Sequence, residues 1–322
     1  MNTCSSMHRR ALLAAGLLSL PAPALAQARR PPLALCTVGM VGDMVRSLGG
    51  AAFRVETLIG EGVDPHLFRP TRNDIQRILG ADLLFANGHR LEGRMGDVLE
   101  RARGAGKPVV MVAEALPRER LRANPDYPDA ADPHVWMDPT LWAEAAAPAA
   151  DALSRFAPAA AQDIAAALAA WRARLARLDA FARTALGAIP APQRLLVTAH
   201  DAFAYFGARY GIEVASIQGL STEAEANLAR IEALVATLVA RRVPAVFAES
   251  SVPDRAVRAL IEGAGARGQR VAMGGNLFSD AMGRPGTYEG TYEGMIDHNV
   301  TTIARALGGT APPRGLNGRL AA

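Results

Sequence analysis

Past residue 32, short apolar runs alternate with stretches whose apolar residues recur every three or four positions. The runs at 33–38, 53–58, 83–86 and 109–112 have the length and composition of buried strands. Helical patterns lie between them at 41–48, 75–79 and 95–102. A second series of runs follows at 195–198, 214–217, 245–248 and 271–273, again with helical stretches in between. The clearest of these places Leu228, Ile231, Leu234, Val235 and Leu238 on one face, with Thr222 and Glu225 spaced as a capping box. Strands alternating with helices predict parallel sheets covered by helices. The expected fold is α/β, with two similar lobes, each a mostly parallel sheet flanked by helices.

Between the two series lies an alanine-rich stretch, about 159–186, without glycine or proline. Trp171, Leu175, Leu178, Phe181 and Ala185 repeat at helical spacing, and Arg172, Arg174, Arg177 and Arg183 fall largely elsewhere. Alanine and arginine favour helix, so one helix of about 40 Å is predicted. It is too short and too poor in large apolar residues for a coiled coil. A single rigid connector predicts that the lobes rock slightly and do not close widely. The expected division is a signal at 1–26, an N-terminal lobe at 27–158, the connecting helix at 159–188 and a C-terminal lobe at 189–322.

The N-terminus changes the compartment. His8-Arg9-Arg10 is cationic, 11–20 is apolar but too short to anchor in a bilayer, and Ala24-Leu25-Ala26 offers small residues before Gln27. A secretion signal cleaved near Ala26–Gln27 is expected, giving an extracytoplasmic, periplasmic protein. Cys4 would be lost with it, leaving Cys36 alone as a buried strand thiol and no internal disulfide. The chain has 322 residues, 50% hydrophobic and 20% charged, enough for a large core. Loss of Arg9 and Arg10 takes the formal charge from +4 to +2. A nearly neutral protein without a basic stripe is a poor nucleic-acid binder.

Four phrases carry the chemistry: Asp64-Pro65-His66, Asp132-Pro133-His134, Thr198-Ala199-His200 and Phe278-Ser279-Asp280. Singly, each has a plain reading as a hydrogen-bonded histidine or a turn aspartate. Together they put His66, His134, His200 and Asp280 just beyond strands of two lobes, where parallel sheets bind ligands. Proline before His66 and His134 restricts the chain and lowers the ordering cost of binding. Three imidazoles and a carboxylate suit Zn²⁺, and suit Mn²⁺ with a bidentate carboxylate. Asp138, ahead of Pro139, reads as a helix N-cap. Asp201 reads as the cap of a helix carrying the core aromatics Phe203, Tyr205 and Phe206. Glu249 is placed either to orient a ligand from behind or to line the cleft. His89 reads as a structural residue, and His298 as a packing or capping residue.

These phrases resemble the zinc- and manganese-binding periplasmic proteins of ABC transporters, the cluster A-I solute-binding family. The resemblance runs through DPHLFRP at His66, NGHRLEG from Asn87, DPHVWMDP at His134, TAHDAFAYFGARYG around His200, GLSTEAEAN from Gly219 and LFSDAMGRPGTYEGTYEGMIDHN from Leu277. It implies two α/β lobes, a long connecting helix and one metal between the lobes, with His66, His134, His200 and Asp280 at the ligand positions. Members with Glu at the third position lean to manganese, and those with His bind zinc or both. Zinc-dedicated members often carry a His-rich loop before the second ligand, whereas 116–132 here has no histidine.

The expected function is capture of Zn²⁺ or Mn²⁺ by a monomer that delivers it to the membrane permease of an ABC importer. No nucleotide-binding loop is present, because Gly106-Lys107 runs into Pro108. Affinity is expected to fall in acid as protons compete for the imidazoles. The rival reading is an exported metallohydrolase with a His₃Asp site, which would need an open coordination position for water. No His-Glu-x-x-His or Gly-x-Ser-x-Gly motif supports it. A third reading is an extracellular adhesin or metal buffer that works without a permease.

Overall fold

The computed structural model describes residues 1, 30–223 and 226–321. Apart from Met1, the expected signal at 1–26 lies outside the described residues, as does Glu225. Among the described residues, no helix is long and apolar enough to cross a membrane.

The first half runs β1 (Leu33–Cys36), α1 (Gly39–Gly49), β2 (Arg54–Thr57), α2 (Arg72–Gly80), β3 (Leu83–Ala86), α3 (Met95–Gly104) and β4 (Val109–Met111). Its sheet is parallel throughout, in the order β2-β1-β3-β4. The central strands β1 and β3 are leucine- and alanine-rich and almost wholly buried, as a sheet covered on both faces requires. Cys36 is a buried thiol on β1.

One helix closes the first half and the next joins it to the second. In α4 (Pro139–Phe156), Asp138 caps the N-terminus by accepting from the backbone of Thr140 and Leu141, with Pro139 in the first turn. In α5 (Ala161–Gly187), 27 residues form the predicted long helix. Trp171, Leu175, Leu178 and Ala185 are buried, Phe181 is half-buried, and Arg172, Arg177 and Arg183 face solvent. The helix packs on α1 and α4 of the first half and on elements of the second, so it belongs to both cores.

The second half runs β5 (Leu195–Thr198), α6 (Ala204–Tyr210), β6 (Glu213–Ser216), α7 (Leu228–Arg241), β7 (Ala245–Glu249), α8 (Arg255–Ala266), β8 (Ala272–Leu277) and α9 (Tyr292–Ala306). Its strands hydrogen-bond as two parallel pairs, β5-β6 and β7-β8, with β5 lying against β7. The β7-β8 register shifts between Val246 and Phe247, which leaves Gly274 as the extra residue of a bulge. A Cβ on Gly274 would stand 2.7 Å from the Phe247 ring, so any larger residue would have to displace that buried ring. This half has β8 longer than expected, reaching Leu277.

Three local expectations are corrected. Asn227, not Thr222, caps α7, and Leu228 is 69% exposed where the periodicity placed it inward. Asp201 caps nothing: α6 begins after Phe203 without a side-chain cap. Phe203, Tyr205 and Phe206 are nevertheless core. His89, read as structural, sits in a turn with φ +51°, six residues before α3.

Candidate metal centre

Four side chains from four separate segments converge. His66 comes from the loop after β2, His134 from the segment leading into α4, His200 from two residues past β5 and Asp280 from three residues past β8. One potential ligand atom from each lies within 4.8 Å of all the others. All four residues are buried: His134 and His200 at 0%, Asp280 at 2% and His66 at 7%.

The spacing fits a metal better than a hydrogen-bond network. His66 Nε2 and His134 Nε2 are 3.4 Å apart, and His134 Nε2 lies 3.4 Å from Asp280 Oδ1. Two nitrogens bound tetrahedrally at about 2.05 Å would stand about 3.4 Å from each other. His200 Nε2 and Asp280 Oδ1 are buried and make no well-aligned hydrogen bond, although each has a cluster neighbour within 3.4 Å, an arrangement a shared ion would satisfy. Asp280 Oδ2 is 3.0 Å from His200 Nε2 and 3.8 Å from His66 Nε2, so both carboxylate oxygens face the cluster.

Local chain geometry aims each ligand. The repeated Asp-Pro-His phrase makes the same turn twice. Asp64 Oδ1 accepts the backbone N–H of His66 at 2.8 Å, and Asp132 Oδ1 accepts that of His134 at 3.0 Å. Asp132 Oδ1 also lies 2.8 Å from His134 Nδ1. Glu249 does the same for His200, with Oε1 on the backbone N–H at 2.8 Å and Oε2 on Nδ1 at 2.5 Å. A carboxylate behind Nδ1 fixes the proton there and turns the Nε2 lone pair toward the centre. Behind His66, the backbone of Gly93 approaches closely. Gly93 has φ +46°, and a Cβ there would meet the His66 carbonyl oxygen at 2.5 Å. His298, by contrast, lies away from the cluster, with Nε2 2.9 Å from the Asn276 carbonyl and its ring on Phe278.

The charge balance favours a cation. Burial pushes His66 down to about 3, aided by the neighbouring imidazoles and opposed by Asp280. Burial also opposes a charge on His134, but Asp132 and Asp280 outweigh it and raise the ring to about 9. His200 is held well above its usual range against burial by Glu249 and Asp280. Asp280 is held well below the usual carboxylate range, against its own desolvation, by His200 and His134. Three carboxylates thus face three imidazoles, an excess of negative charge that a bound cation would offset.

Sequence reasoning named all four members of the cluster and offered Glu249 as one of two roles. It missed Asp132 as the partner of His134, although the signal was present in the repeated Asp two residues before each histidine. It also missed Trp136, whose Nε1 donates to the Ser279 carbonyl at 2.9 Å and joins the His134 segment to the Asp280 segment.

A family model described as ZnuA, zinc-uptake complex component A periplasmic, matches residues 35–306. The zinc-binding protein TroA of Treponema pallidum (strain Nichols) is 42% identical over 277 residues, 86% of this chain and 89% of the relative. The manganese-binding lipoprotein MntA of Bacillus subtilis (strain 168) is 41% identical over 271 residues, 84% of this chain and 88% of the relative. The solved structure of the periplasmic zinc-binding protein TroA from Treponema pallidum matches with a TM-score of 0.82 at 41% identity, covering 86% of this chain and 99% of that one. A match over most of the chain, in sequence and in fold, places it among metal-binding transport proteins: the chain belongs to the periplasmic zinc-uptake component A family.

Proposed function

We propose that this protein captures one Zn²⁺ or Mn²⁺ ion outside the inner membrane and hands it to the permease of an ABC importer. His66, His134, His200 and Asp280 are the ligands. The observation that carries this reading is the convergence of their four ligand atoms within 4.8 Å in a buried site. Imidazole and carboxylate donors suit both ions, and the relatives named for zinc and for manganese support leaving both as cargo.

Four protein ligands close a tetrahedral shell, which suits binding and release better than hydrolysis, where a metal-bound water is needed. We therefore read the protein as a carrier and not an enzyme, acting as a monomer and binding no nucleic acid. The signal at 1–26 would be cleaved near Ala26–Gln27. The mature protein then divides into a lobe at 27–158, a connecting helix at 159–188 and a lobe at 189–322. Proton and metal compete for the same nitrogens, so affinity falls with falling pH.

The reading is tested by incubating metal-free protein with equal Zn²⁺ and Mn²⁺, desalting it and measuring retained metal by mass spectrometry. One equivalent of metal per chain is expected. Protein that retains neither ion contradicts the reading.

A further inference from the structure

We propose that Asp64 and Thr222 form a latch that sets how long the metal stays, with His66 as the first ligand to leave. The proposal rests on the metal-capture reading above and adds a positioning pair to it. Asp64 uses both carboxylate oxygens. Oδ1 accepts the backbone N–H of His66 at 2.8 Å, and Oδ2 accepts the hydroxyl of Thr222. Asp64 and His66 share the loop after β2, whereas Thr222 sits between β6 and α7 in the other half. One carboxylate therefore couples the backbone of a ligand on one lobe to a hydroxyl on the opposite lobe.

The other three ligands are pinned by more than this. Ring-backing carboxylates hold His134 and His200. The His134 segment is also gripped from the second half. Tyr205 donates to the Asp132 carbonyl at 3.0 Å, and Tyr292 donates to the Trp136 carbonyl at 2.7 Å. Ahead of Asp280, Asn299 accepts the Phe278 backbone N–H at 2.9 Å and Ser251 meets Ser279 at 3.0 Å. Among the described residues, no carboxylate is hydrogen-bonded to the His66 ring from behind. His66 is also the most exposed of the four, at 7%.

The surroundings give His66 somewhere to go. It borders a cavity of about 260 Å³ that is also lined by His89, Arg94, Tyr127, Leu220 and Glu223. Asp280 borders a larger cavity of about 620 Å³, but its segment is held by the bonds just described. A ligand with free space beside it and one bridging carboxylate as its tie to the opposite lobe is the one a small lobe movement releases. Separation of Thr222 from Asp64 frees the turn that aims His66, and three-coordinate metal remains, exposed to a competing acceptor.

The test is metal release from Zn²⁺-loaded protein after stopped-flow mixing with excess chelator. Thr222→Val keeps the shape and removes the hydroxyl. It is expected to release Zn²⁺ about ten-fold faster, the effect of losing one hydrogen bond to a charged group expressed mainly in the off-rate. Thr222→Ala should behave alike, and Thr222→Ser should restore the wild-type rate. Stoichiometry should not change, because the hydroxyl is not a ligand, and the melting temperature of the metal-free protein should fall only by what one hydrogen bond contributes. Release from Thr222→Val and Thr222→Ala at the wild-type rate overturns the latch, as does failure of Thr222→Ser to rescue. Wild-type protein that binds no Zn²⁺ defeats the capture reading itself and the latch with it. Wild-type binding with unchanged release in the variants defeats the latch alone.

Discussion

Glu249 grips His200 at two points, its backbone N–H through Oε1 at 2.8 Å and its ring Nδ1 through Oε2 at 2.5 Å. The residues are 49 apart in sequence, one past the end of β5 and the other at the end of β7. The contact of these strands within the second half brings them together, and one hydrogen bond fixes the backbone while the other sets the orientation of the imidazole. An imidazole held this way has Nε2 aimed at Asp280 before any ion arrives, which lowers the ordering cost of binding.

Glu249→Gln should therefore weaken metal binding about 10- to 100-fold, the usual loss for an outer partner of a ligating histidine. The amide can still accept from one N–H but no longer places a negative charge behind the ring. Calorimetric titration of the variant checks this. Affinity equal to wild type would mean that Glu249 merely fills space.

Trp136 offers a reporter. Its ring lies edge-on to His134 with centroids 5.3 Å apart, and its Nε1 donates across to the Ser279 carbonyl at 2.9 Å. Metal addition should change tryptophan emission, and Trp136→Phe should abolish most of that change. The same substitution leaves a buried carbonyl without its donor and should lower stability by about 1–3 kcal/mol. Emission that responds fully in Trp136→Phe would assign the signal to Trp142 or Trp171.

Asp179 ties the connecting helix α5 to α6 of the second half. Arg209 of α6 reaches its two oxygens at 2.9 and 2.8 Å, and Arg183 adds a bond at 3.1 Å. Burial pushes the Asp179 carboxyl up, but the two guanidinium groups outweigh it and hold its pKa below the usual value. A depressed folded pKa means that the stabilisation is present above the unfolded value of about 3.9 and is lost as pH falls through the folded value. Asp179→Asn should melt lower than wild type near neutral pH, and the two melting curves should converge in acid. A gap that persists undiminished below the folded value would assign the loss to packing.

Much of this was legible in the chain, for reasons particular residues make plain. Leu33, Leu83 and Leu195 open runs too short for helices and too apolar for loops, so the strands stood out. The glycine-free stretch through Trp171 and Leu178 could only be a long helix. The cluster was legible because His200 and Asp280 sit just past strands and His134 at a helix entry, where backbone turns present side chains, and because His66 repeats the Asp-Pro-His phrase of His134. What escaped were relations between distant segments. Thr222 was assigned to cap α7 from its own neighbourhood, yet its hydroxyl reaches Asp64, 158 residues earlier, and Asn227 does the capping. Thr222 lies six residues before Leu228, too far upstream to cap α7, whereas Asn227 directly precedes it and accepts the Ala229 N–H. The rigidity of Asp-Pro-His was credited to proline, but the aspartate closes the turn.

The central claim is that these four side chains hold one ion together. Calorimetric titration of metal-free protein with Zn²⁺ and with Mn²⁺, beside Asp280→Ala, tests it most directly. The account predicts one tight equivalent in the wild type, with the preferred ion identifying the cargo. It predicts a loss in Asp280→Ala beyond the roughly 100-fold that removal of an outer partner costs. Absence of binding to either ion, or binding that Asp280→Ala leaves intact, would contradict it.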